Sequence, residues 1–158
     1  AVSFSMLESG PNTFTQSRVD LQLNPLDNEV FVVTSVNLDP TVPDAAAGSN
    51  TQVHASLTTT SQSGPVNLNN SAALSSVVLN IQAQGFVDGG VGFTRSSSDT
   101  PVADLEYIGI IATNDFFIQL EGNNNGAAKF LSGRMWGYRA TAQSSIYAAL
   151  VQSEVLSN

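Results

Sequence analysis

The chain has 158 residues, 42% of them apolar and only 11% charged, with a net charge of −8 and no cysteine. This length suits one domain with a two-layer core. The acidic balance opposes bulk attraction to nucleic acid or anionic lipid, and the lack of cysteine excludes disulfides and thiolate chemistry. No apolar run approaches the ~18 residues of a membrane helix. Residues 1–5 lack the basic start and apolar core of a secretion signal. Charged residues usually make up about 25% of a soluble protein. Here Ser, Thr, Asn and Gln stand in their place. Such a surface fits burial against neighbouring protein, where unpaired charge is costly to desolvate, or the solvated exterior of a secreted protein.

Residues 1–12 read as an extended N-terminal arm. Val2, Phe4, Met6 and Leu7 are apolar but are not assigned to a strand, and Gly10-Pro11 is a turn signal. Residues 14–23 alternate, with Val19, Leu21 and Leu23 on one face. After a turn at 24–28, the run EVFVVTSVNL (29–38) is the strongest early strand. Its centre, Val30 to Val33, is apolar on both faces. Loop residues 39–50 lead to alternation over 51–59. A Ser-, Gly- and Asn-rich loop follows at 61–71, then strand from Ser76 on. A short strand at 91–95 and a loop at 96–101 precede the C-terminal block. There, 107–113, 115–121, 128–141 and 145–151 read as successive antiparallel strands. The turn cluster Gly122-Asn-Asn-Asn-Gly126 joins two of them. The expected fold is an all-β antiparallel sandwich, a single jelly roll of about eight strands, with an immunoglobulin-like sandwich as its near neighbour. Val30, Val32, Ile108, Ile110, Phe117 and Tyr147 are the expected core, and residues 1–158 form one domain.

Chemistry is harder to place. His54, the sole histidine, has no evident partner for base catalysis or metal binding. Glu106, Asp115 and Glu121 lie on adjacent expected strands, as paired glycosidase carboxylates could, yet charges at strand ends read the same way. Glu121, Asn123 and Asn125 faintly resemble a calcium loop without its spacing. Asn69-Asn70-Ser71 matches a glycosylation triplet, which chains rich in Asn and Ser produce by chance. Lys129, Arg134 and Arg139, interleaved with Phe130, Trp136 and Tyr138, could line a single-strand groove. The net charge favours pairing with carboxylates instead. No catalytic residue, cofactor or metal is expected.

Three segments carry a resemblance: EVFVVTSVNLDP (29–40), YIGIIATND (107–115) and GRMWGYRA (133–140). They resemble the small jelly-roll coat proteins of tailless icosahedral viruses of the marine type. The resemblance implies a capsid subunit in a virion, assembling with copies of itself and with other capsid proteins. The lack of an Arg-rich arm departs from many such coats, so direct nucleic-acid binding is not expected. A coat lying over a membrane or an inner layer fits better. Phe4, Met6, Leu7, Arg134 and Arg139 are the candidate subunit-interface residues. The alternative is an extracellular carbohydrate-binding or adhesion module, with Tyr107, Trp136 and Tyr138 as its stacking platform.

Overall fold

In the computed structural model, alternation of apolar and polar residues builds two antiparallel sheets from nine strands among the described residues. The described residues are 2–23, 25–44, 49–82, 93–98, 107–143, 145–146 and 148–149. The strands are β1 (Val2–Leu7), β2 (Thr15–Asp20), β3 (Glu29–Pro40), β4 (Asn50–Thr58), β5 (Ala73–Gln82), β6 (Phe93–Ser98), β7 (Gly109–Ile111), β8 (Asp115–Asn123) and β9 (Phe130–Thr141). The first sheet has the order β1-β9-β3-β7 and the second β2-β8-β4-β5-β6.

The pairing is that of one long hairpin, rolled up. β1 pairs with β9, β2 with β8, β3 with β7 and β4 with β5. Rolling brings β9 against β3 and β8 against β4 as well. Eight strands so arranged make a single jelly roll, and β6 extends the second sheet beyond β5.

The inner faces fuse into one core. β8 contributes Phe116, Ile118 and Leu120, β4 Val53, Ala55 and Leu57, β9 Leu131 and Met135, and β1 Phe4 and Met6. Phe4 meets Phe116 edge-on, with centroids 5.7 Å apart. The glycines of β9 make room for such rings: a side chain at Gly133 would sit 2.5 Å from the Phe4 ring.

Several expectations are corrected here. Residues 2–7 are not an arm but β1, paired residue for residue with β9. Val2, Phe4 and Met6 do alternate with Ser3, Ser5 and Leu7, and the even positions face the core. Phe4 and Met6 are therefore buried and cannot dock on a neighbour; Leu7 is exposed. Phe117 is only partly buried, because Phe116, Ile118 and Leu120 hold the inner face. Val30 and Val32 are buried, but with Ala112 in a small separate cluster on the outer face of the first sheet. The cause is a bulge between Val33 and Ser35. One extra residue reverses the alternation, so Phe31 and Val33 precede it on the inner face and Val36 and Leu38 follow it there. Ile110 packs partly buried on the outer cluster and Ile108 on the main core. Residues 145, 146, 148 and 149 are helical rather than extended. Tyr147 lies outside the described residues.

Unequal costs are expected for neighbouring phenylalanines. Phe116→Ala should lower the unfolding free energy by ~3–5 kcal/mol, the range for a fully buried ring, and Phe117→Ala by clearly less. Urea denaturation of the two variants measures this.

Candidate functional site

The strands leave one face unlike the rest. Along the outer face of β9 run Phe130, Ser132, Arg134, Trp136, Tyr138 and Ala140. Leu7, Ser5 and Ser3 of β1 lie beside Phe130, Ser132 and Arg134. Asp39, Asn37 and Ser35 of β3 lie beside Ser132, Arg134 and Trp136 on the other side. Leu7, Phe130, Trp136 and Tyr138 are all exposed there. Thr34, the bulge residue, donates from Oγ1 to the Trp136 carbonyl at 3.0 Å, which fixes the strand where the indole projects. The Arg134 guanidinium lies 6.0 Å from the Trp136 ring centroid, at cation–π range, and its Nε donates to Ser3 Oγ at 3.1 Å. Ser3, Asn37, Asp39, Ser132, Arg134 and Trp136 edge a shallow groove of about 350 Å³. Asn37, Asp39 and Ser132 enter this site only through strand register, which no local sequence signal announces.

The basic residues go three ways. Lys129 is buried, with Nζ 2.6 Å from Asp44 Oδ1. Arg139 turns away from the exposed face: it donates to the carbonyls of Leu21 at 2.8 Å and Gln22 at 3.0 Å and pairs with Glu29 at 3.1 Å. That pins the turn at Gln22, whose φ is 56°. Its guanidinium is thus spent within the chain. Arg134 alone, among the described side chains, is a cation without a carboxylate partner. The stacking trio divides too. Trp136 and Tyr138 share the outer face of β9, whereas Tyr107 precedes β7, beyond β3, and edges no part of the groove.

Asp115 and Glu121 do not come together as a pair. Asp115 is bound to Arg18, which also holds Asp20 at 3.2 Å. Asp115 and Glu121 sit six residues apart on one strand, about 20 Å at the rise of an extended chain. Glu106 lies outside the described residues. Asn125 closes a loop: Oδ1 accepts from Asp44 N–H at 2.9 Å and Nδ2 donates to the Gln52 carbonyl at 3.0 Å. Among the described residues no three of His, Asp and Glu come together as metal ligands.

Loop 59–72 folds back over the outer face of the second sheet and seals a polar row. Ser56 Oγ donates to Gln119 Oε1 at 2.7 Å, and Gln119 Nε2 donates to Gln16 Oε1 at 2.9 Å and Thr58 Oγ1 at 2.8 Å. The loop caps this row through Gln62 N–H to Gln16 Oε1 at 2.8 Å and Val66 N–H to Ser56 Oγ at 3.3 Å. His54 belongs to it as well. Its Nε2 lies 3.1 Å from the Val66 carbonyl, which can only accept, so this nitrogen carries the proton. Ser76 Oγ stands 3.2 Å away. His54 is thus a half-buried fastener of the loop.

Set against protein-family models, curated proteins and solved structures, the chain matches none.

Burial holds the His54 imidazole below its ordinary value of 6.5, opposed in part by the Val66 hydrogen bond. A depressed value means that the folded state resists protonation. The stability from the neutral ring is full above the unfolded value and is lost as pH falls below it. Urea midpoints should therefore drop between about pH 7 and pH 5, and His54→Gln should flatten that slope.

Proposed function

We propose that this chain is a structural subunit that assembles with copies of itself into a closed shell, as a viral coat protein does, with the outer face of the β1-β9-β3-β7 sheet as a contact surface. The observation that carries this reading is the pairing of that exposed aromatic face with a jelly roll whose other broad face has its central polar row sealed by loop 59–72. Leu7 and Phe130 are exposed side by side at one end of it, and Trp136 and Tyr138 at the other, with Arg134 and serines between. Aromatic residues and Arg are the side chains enriched where proteins meet. Charge favours a second copy as the occupant. The chain is strongly acidic, and Arg134 offers an unpaired cation to a carboxylate of the neighbour, which Arg can hold in a bidentate pair. The strand order supports the reading at the level of fold, because jelly rolls serve as shell subunits and as lectins.

The groove at Trp136 favours a second reading, an extracellular module that binds carbohydrate. An exposed indole beside Asn37, Asp39, Ser132 and Arg134 offers a sugar both an apolar face and hydrogen-bonding groups. Tyr138 would extend that platform along β9; Tyr107 would not.

Light scattering and negative-stain electron microscopy of the purified chain separate the two. Shells or defined oligomers are expected, with Trp136→Ala and Arg134→Glu each weakening assembly while far-ultraviolet circular dichroism stays unchanged. A monomer at every concentration, salt and pH tried would refute the shell reading. Trp136 is the single tryptophan, so a saturable change in its fluorescence with added glycan would establish the other.

A further inference from the structure

Among the described residues, four strands end the two sheets: β1 and β7 in the first, β2 and β6 in the second. Exposed edges carry unpaired backbone groups, and proteins that stay apart protect them with charge, proline or brevity. β2 carries Arg18 and Asp20, and β6 carries Arg95. β7 is three residues long. β1 is six residues, VSFSML, with no charge and no proline. It is the one unprotected edge among the described strands.

Its pairing shows which groups are free. Glu8 N–H donates to the Lys129 carbonyl at 2.8 Å. In an antiparallel ladder, backbone groups then turn toward β9 at the even positions and away from it at the odd ones. The N–H and C=O groups of Ser3, Ser5 and Leu7 therefore point outward from the sheet. Among the described residues no backbone partner meets them. The free row stops at Ser9, whose N–H donates to Thr15 Oγ1 at 3.0 Å.

We infer that β1 pairs antiparallel with β1 of a second copy about a two-fold axis at Ser5, joining two first sheets into one continuous eight-stranded sheet. This register sets Ser5 opposite Ser5 of the second copy and Ser3 opposite its Leu7. Every outward N–H and C=O from Ser3 to Leu7 is then matched, two bonds for each facing pair. A second copy is the occupant because the edge is self-complementary and free of charge. The self-repulsion of a chain this acidic favours contact where no free carboxylate lies. Glu8 is buried and internally bonded, and Asp39 stands two strands back on β3. The exposed neighbours Leu7 and Phe130 border the seam. This contact rests on the self-assembly reading and names one of its surfaces.

Ser5→Pro removes an outward N–H and spares every bond to β9. It should raise the protein concentration needed for association by roughly tenfold or more, read by light scattering, with circular dichroism unchanged. Ser5→Lys, which leaves the backbone intact, should do the same and guards against misfolding of the proline variant. In a chain without cysteine, Ser5→Cys should give a disulfide-linked dimer on oxidation, because the facing Cα atoms stand ~5.5 Å apart. A wild-type chain that stays monomeric overturns the whole self-assembly reading. A wild-type chain that assembles, with both Ser5→Pro and Ser5→Lys assembling at the same concentration and Ser5→Cys giving no cross-link, overturns the edge contact alone.

Discussion

A single buried carboxylate ties the two sheets together. Glu8 ends β1 almost wholly out of solvent, where an unpaired charge would cost several kcal/mol. It is held by three backbone donors: Thr13 N–H in the β1–β2 loop at 3.1 Å, Gly122 N–H of β8 at 2.8 Å and Lys129 N–H beside β9 at 2.9 Å. β8 belongs to one sheet and β9 to the other, so one side chain spans the sandwich. A Cβ at position 122 would stand 2.6 Å from the Asn125 amide, so a larger residue there would push that amide aside. Around this point the loops that cross between the sheets lock to each other. Asn12 and Asn125 exchange two bonds of 2.9 and 2.8 Å, with Asn12 at φ 58°. Asp44 takes Gly126 N–H at 2.7 Å, and the Lys129 ammonium holds its carboxyl below the usual carboxylate range. The same clasp anchors the end of β1, and hence the position of the edge inferred to pair.

The second sheet meets the opposite problem with neutral groups. Gln119, Ser56 and Thr58 are fully buried on its outer face. A bare polar row would be solvated; a sealed one must be satisfied within the protein. The loop from β4 to β5 does that sealing, and Asn70 holds the loop itself through Ala72 N–H at 2.9 Å. Uncharged polar residues thus have internal work. Their abundance, read from composition as suited to contacts between subunits, is partly spent on this strap and on the Glu8 clasp. The same holds for Arg139, whose donors are taken up by its own chain.

What was legible in the sequence followed from period-two patterning. β4 stood out because Val53, Ala55 and Leu57 alternate with polar residues, and β3, β8 and β9 because runs rich in β-branched and aromatic residues are bounded by turn signals there; successive antiparallel strands imply the sandwich. What was hidden depended on pairing. Thr34 looks like any strand residue, so nothing local reveals that it is an insertion that turns Val30 and Val32 to the outer face. β1 had its alternation in full view at Val2, Phe4 and Met6. Its serines resembled loop composition, and its partner lies some 130 residues away. The groove beside Trp136 combines β1, β3 and β9, and only their register brings Ser3, Asn37 and Arg134 into line. Phe116 and Phe117 were separable in principle, because Gln119 and Glu121 mark the face that Phe117 shares.

The fold also limits how such a subunit could close a shell. A two-fold contact at the β1 edge uses itself up: two copies pair and neither β1 edge remains free. Dimers alone do not enclose a volume, so a shell needs a second contact of different kind. In the shell proposed above, the sheet face would supply it. It adjoins the β1 edge, and pairing at that edge would bring the aromatic faces of two copies into a single continuous surface. A contact across that enlarged face could be heterologous and could carry the sequence of subunits around a closed ring. On the outer face of the second sheet a neighbour would meet the strap over Gln119 and Ser56 rather than the sheet itself. In the shell proposed above, the division between a sealed polar row on one sheet and an open aromatic face on the other would give the subunit a side from which to build.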